Sequence, residues 1–171
     1  MSAVHAFRRV LERLLEGVCM LLMVGLAAVV VVAVVYRYGG ASLVWYDEVA
    51  AIMLVWLTYY GAALAALRRA HLGFPALIEA SPPGLRLPAL IVAEILVIGF
   101  FLVLAWYGWQ VIMILAGDRL TSLPWVPVAF TQSVIPIGGV LIALAELLTL
   151  PERWHEARAG EGLHEHEESA V

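Results

Sequence analysis

Two adjacent carboxylates, Asp47 and Glu48, follow Trp45 and Tyr46 at the start of a long apolar run. Acids in a first helical turn sit at the positive end of the helix dipole, and a short link separates them from Arg37. One reading is a helix cap that also pairs with Arg37. The other is a recognition surface in which Trp45, Asp47, Glu48 and Arg37 face a docking partner. A proton relay is excluded, because these acids stand at the border of the run and not at its middle. Glu94 and Glu146 enter later apolar runs, each a turn or two from one end. At that level Glu94 can pair with Arg68, Arg69 or Arg86, so a clamp between helix ends is expected there and likewise at Glu146. Gln110 and Gln132 are neutral amides able to hydrogen-bond between helices.

The usual catalytic chemistries find no foothold. His5, His71, His155, His164 and His166 all lie outside the apolar runs, so no imidazole is placed to ligate haem iron within them. No HExxH, GxSxG or phosphate-binding glycine loop occurs. The single cysteine, Cys19, has no internal disulfide partner and reads as a small hydrophobe. No catalytic, metal or substrate-binding residue is therefore expected, and no cofactor. With no lysine and no long basic run, nucleic acid is not an expected partner either.

The elements that would position these residues are membrane spans. The chain is 63% hydrophobic and 14% charged, whereas a soluble domain is about half apolar and about a quarter charged. A helix needs roughly 20 apolar residues to cross about 30 Å of hydrocarbon. Four stretches qualify, at about 18–36, 49–67, 88–116 and 128–150, within a membrane domain at 17–151. The expected fold is an all-α membrane protein with four transmembrane helices. Its first span ends at Tyr36-Arg37-Tyr38 without a small-x-small cleavage pattern and reads as a retained anchor. Segment 1–16 is amphipathic, with Val4, Phe7, Val10, Leu11, Leu14 and Leu15 on one face. It either lies on the inner leaflet or continues straight into the first span. The loop Leu72–Leu87 has an apolar middle, Phe74 to Ile78, suited to a short interfacial turn, and the acidic tail 152–171 is expected to be disordered.

Arginine placement orients the bundle. Arg8, Arg9, Arg13, Arg68, Arg69, Arg86, Arg153 and Arg158 flank one side of the spans, against Arg37 and Arg119 on the other. Eight against two puts both termini in the cytoplasm by the positive-inside rule. Inside the fourth span, Pro136 removes an N–H and clashes with the carbonyl of Gln132, so a kink is expected. Gly138 and Gly139 follow. Gly139 with Ala143, and Gly61 with Ala65, form small-xxx-small pairs that allow close helix packing.

Several of these residues also form a pattern. Trp45-Tyr46-Asp47-Glu48, Trp56, Gly61-Ala62-Ala63 and Arg68-Arg69-Ala70-His71 follow one another along the second span. Ser122-Leu123-Pro124-Trp125 and Ile135-Pro136-Ile137-Gly138 come later. Over about residues 8 to 150 this resembles the small membrane subunit of tripartite ATP-independent periplasmic (TRAP) transporters, the DctQ family. The family more often has Glu where Asp47 stands, and its pattern does not extend to the acidic tail. The resemblance implies a bacterial inner-membrane scaffold with two protein partners. A large elevator-type membrane subunit would hold the substrate and sodium sites, and a periplasmic binding protein would deliver an organic acid or similar solute. Trp45, Asp47, Glu48 and Arg37 would then belong to the outer docking face. Arg68, Arg69, His71 and Glu94 would serve the subunit interface or anchor the inner end in the lipid bilayer. The spans fit a supporting role, because mid-membrane charges and broken helices of the kind that form ion sites are not expected in them. The alternatives are an autonomous oligomeric channel or exporter, and the anchor subunit of a membrane enzyme.

Overall fold

The computed structural model describes residues 2–68 and 83–159, with side chains over 5–68 and 88–154. Four long helices and one short one make up the described chain: α1 (Ser2–Tyr38), α2 (Tyr46–Leu67), α3 (Pro83–Ile114), α4 (Val128–Gln132) and α5 (Val134–Ala159). Four segments are long and apolar enough to cross a membrane: His5–Tyr38, Tyr46–Leu67, Pro88–Ile114 and Val128–Trp154. The chain is thus an all-α protein with four candidate spans. No strand occurs among the described residues, apart from an isolated bridge between Arg119 and Pro127.

The amphipathic segment at the start and the first span form one helix, so the straight extension is the arrangement found. Helix α1 stops where Gly40 takes a positive φ of 80°. The Gly40 N–H then donates to the Arg37 carbonyl (3.2 Å) and the Ala41 N–H to the Tyr36 carbonyl (3.0 Å), a closure that a side chain at Gly40 would strain. Helix α3 begins at Pro83, earlier than the expected Pro88, and carries Pro88 inside its first turns. Helix α5 runs on through Pro151 to Ala159, so the first residues of the expected disordered tail are helical. The rest of that tail and the expected turn at 74–78 lie outside the described residues, as do Arg69 and His71.

Helix α5 is the centre of the bundle. Its most apolar stretch is 44% buried, against 11% for α1 and α2 and 17% for α3. It packs against α2 and α3, while α1 packs on α2. Leu15, Ala63, Ala66, Leu67, Ile142 and Ala145 form the core where α1, α2 and α5 meet. Two adjacent glycines let α5 lie between two neighbours at once. A Cβ on Gly138 would fall 2.6 Å from the Tyr59 ring of α2, and one on Gly139 would fall 2.9 Å from the Phe101 carbonyl of α3. On α3, Gly108 leaves room for Pro136, whose Cδ would be 3.1 Å from an added Cβ.

Two packing expectations need correction. The span carrying Pro136 is not one kinked helix but two, interrupted at Ser133, and Pro136 stands in the first turn of α5. A proline there is tolerated because first-turn N–H groups have no intrahelical partner in any case. The expectation of unbroken spans fails at the same place. Nor does Gly61 mark a close approach within the chain, for nothing lies within 4 Å of a Cβ placed on it. The buried face of α2 here is Ala63, Ala66 and Leu67.

These contrasts set opposite outcomes for two alanine variants of the purified chain in detergent. Gly139→Ala presses on the α3 backbone and costs about 1–3 kcal/mol, lowering the thermal midpoint. Gly61→Ala meets open space and raises or preserves it, with a gain of up to about 1 kcal/mol from helix propensity.

Candidate functional site

The ionic groups gather at the two ends of the bundle. At the proximal end, where α1 and α3 begin and α2 and α5 finish, arginines tie all four long helices together. The Arg8 guanidinium spans from Glu152 of α5 (2.7 Å) to the carbonyl of Leu67 (2.7 Å), the last residue of α2. That carbonyl is one of the acceptors a helix end leaves without an intrahelical donor. Arg68 pairs with Glu12 (2.7 Å) and Glu16 (3.1 Å) of α1. The Glu12 hydrogen bond, and then the one from Glu16, raise the pKa of the Arg68 guanidinium.

Glu94 does form a clamp, but not with the expected partner. It accepts from Arg153 Nη1 at 2.5 Å, and the same nitrogen lies 2.9 Å from Glu146 Oε2. Arg68 is engaged by α1 instead. The reason is topological: α3 packs on α5, not on α2. Glu146 and Arg153 stand two helical turns apart on α5, on the face that meets α3. Glu94 and Glu146 are 5% and 2% exposed, and Arg153 brings a positive charge to both.

At the distal end, Glu48 does not pair with Arg37, which has no ion pair among the described residues. Glu48 reaches instead to the loop between α3 and α4. The Ser122 N–H (3.0 Å) and hydroxyl donate to Oε2, and the Thr121 N–H (3.4 Å) donates to Oε1. The loop closes on itself through Leu120 N–H to the Val126 carbonyl (3.1 Å) and Val128 N–H to the Asp118 carbonyl (3.0 Å). Its turn holds Pro124 and the exposed Trp125. Asp47 and Arg37 face outward, while Trp45 is half-buried.

A third contact was not foreseen. The Trp56 indole N–H donates to the Thr131 carbonyl at 2.9 Å, and its ring lies 5.2 Å from that of Phe130. Trp56 therefore supplies a donor where the helix is broken. The Thr131 and Ser133 hydroxyls donate to the Val128 (2.8 Å) and Phe130 (2.7 Å) carbonyls. No Asp, Glu, Lys or Arg stands at the break. Among the described residues no cluster of three metal-ligating side chains occurs.

Four apolar helices, with charge held at both ends, define a multi-pass helical membrane protein. The family described as "Tripartite ATP-independent periplasmic transporters, DctQ component" matches residues 26–156. The chain belongs to that family, the small membrane component of TRAP transporters. No curated protein matches the chain. The family is one of transporter subunits, and its description implies association with a large membrane subunit and a periplasmic binding protein.

Removing the shared cation should separate the two ends experimentally. Arg153→Ala removes the cation that Glu94 and Glu146 share and is expected to cost about 3–5 kcal/mol, read as a lowered thermal midpoint. Glu48→Gln weakens its contacts to the loop and should speed amide hydrogen exchange at Thr121 and Ser122 while leaving the proximal end protected. Asp47→Asn should leave exchange at both ends unchanged.

Proposed function

We propose that this chain is the fixed, non-transporting subunit of a sodium-coupled TRAP transporter importing an organic acid or similar small solute across a bacterial inner membrane. The proximal end is cytoplasmic in this reading, supported by the eight arginines on that side against two on the other. One observation carries the proposal: no Asp, Glu, Lys or Arg occurs at 17–36, 49–67, 95–117 or 120–145. The helices between the two ends thus offer apolar surface for packing and no charged path for a solute.

The distal end is then periplasmic, and the outward-facing Asp47, Arg37 and Trp125 are suited to meet the binding protein. Glu48 and Ser122 hold the loop that presents Trp125, with the half-buried Trp45 beside them. Arg68, with Arg69 and His71, would anchor the cytoplasmic end and lie toward the large subunit. Gly61 and Ala65, with open space before Gly61 in the isolated chain, would allow a partner helix to approach α2 closely.

The test is solute uptake by the assembled transporter in vesicles supplied with its binding protein. Asp47→Arg should raise the binding-protein concentration needed for half-maximal uptake by roughly tenfold at low salt, and by less at high salt. The amount of assembled membrane complex should not change. An unaltered concentration dependence would remove Asp47 from the docking face.

A further inference from the structure

Helix α1 carries two kinds of exposed chemistry in succession along one side. One flank borders a cleft of about 500 Å³ between α1 and the end of α2, lined by His5, Arg8, Arg9, Glu12, Leu67 and Arg68. Three to four turns further along the same side of α1 as Arg9, towards the middle of the span, Met20 and Met23 are exposed. We infer that this cleft binds the phosphate headgroup of an anionic phospholipid, whose acyl chains run towards the span past Met20 and Met23.

The lining suits a phosphodiester. Three guanidinium groups and one imidazole line it together with Glu12, while Glu152 and Glu16 hold Arg8 and Arg68 from outside the lining. Arg8 is fixed by Glu152 and the Leu67 carbonyl, and Arg68 by Glu12 and Glu16. Each of these arginines is oriented in advance yet keeps N–H groups beyond the two nitrogens so engaged, since a guanidinium carries five. Arg9 is different. Its Nε donates only to the His5 carbonyl one turn back (3.3 Å), and it pairs with no carboxylate among the described residues. It is the cleft arginine that no carboxylate engages directly, and bidentate phosphate recognition is what such a guanidinium offers.

A soluble anion would use the arginines but not the exposed Met20 and Met23. A phospholipid uses both, and the cleft lies where α1 passes from its charged first turns into the uncharged run that begins at Gly17. Basic clefts between helices at a membrane border recognise anionic headgroups by this combination of charge and adjacent hydrocarbon contact.

The full chain in detergent micelles, titrated with lipid while thermal unfolding is followed, tests the inference. Phosphatidylglycerol should raise the unfolding midpoint, whereas phosphatidylcholine and soluble glycerol phosphate should not. Arg9→Gln should weaken the phosphatidylglycerol effect by about fivefold in lipid concentration, the scale of one cation at an anionic surface. Arg119→Gln, an equal charge change at the distal end, should leave the titration unaltered. Equal stabilisation by phosphatidylcholine, or by glycerol phosphate, would overturn the inference. So would a titration that Arg9→Gln leaves unchanged.

Discussion

Hydrocarbon makes a charged side chain cost about 2.5–3.5 kcal/mol at the centre of a span on insertion scales, and this penalty organises the chain. Glu12, Glu16, Arg68, Glu152 and Arg153 stand at the proximal end, and Arg37, Asp47, Glu48 and Arg119 at the distal one. Glu94 and Glu146 go further in, and both meet the same nitrogen of Arg153. Because Arg153 belongs to the central helix and Glu94 to α3, the neutralising contact also fixes the register of those two helices. Arg8 and Arg68 do the same for α1 against α2 and α5.

Between the charged ends, close packing replaces electrostatics. Small residues let α5 sit between α2 and α3, with Gly138 against Tyr59, Gly139 against Phe101 and Gly108 against Pro136. The break at Ser133 gives the bundle a second kind of joint. The carbonyl of Thr131 takes its hydrogen from Trp56, so a local loss of helix geometry becomes a contact between α2 and α4. In hydrocarbon, where no water can supply the missing donor, such substitution is required and not optional.

The spans were legible because uncharged runs near 20 residues have few other uses, and Pro136 correctly marked a disturbance in the last one. Its form was not legible. Whether proline bends a helix or begins a new one depends on neighbours able to serve carbonyls left open at the break, and Trp56, which serves Thr131, lies seventy-five residues from it. The ionic pairs failed for a similar reason. Glu94 pairs with Arg153 and not with Arg68, because the partner follows from which helices are adjacent, and hydropathy does not report adjacency. Glu48 and Ser122 are seventy-four residues apart. Both belong to motifs that carry the family resemblance, yet nothing along the chain joins those motifs. Gly61 and Gly139 look alike in sequence, and only Gly139 is used within the chain. A small residue permits close approach without naming the helix that approaches.

A brace with no charge along the middle of its helices should move nothing alone. Sealed vesicles containing only this chain, given a sodium gradient and labelled organic acids, measure that directly. The account requires their uptake to equal that of protein-free vesicles, with accumulation appearing only when the large subunit and the binding protein are added. Accumulation against a gradient by this chain alone would contradict it.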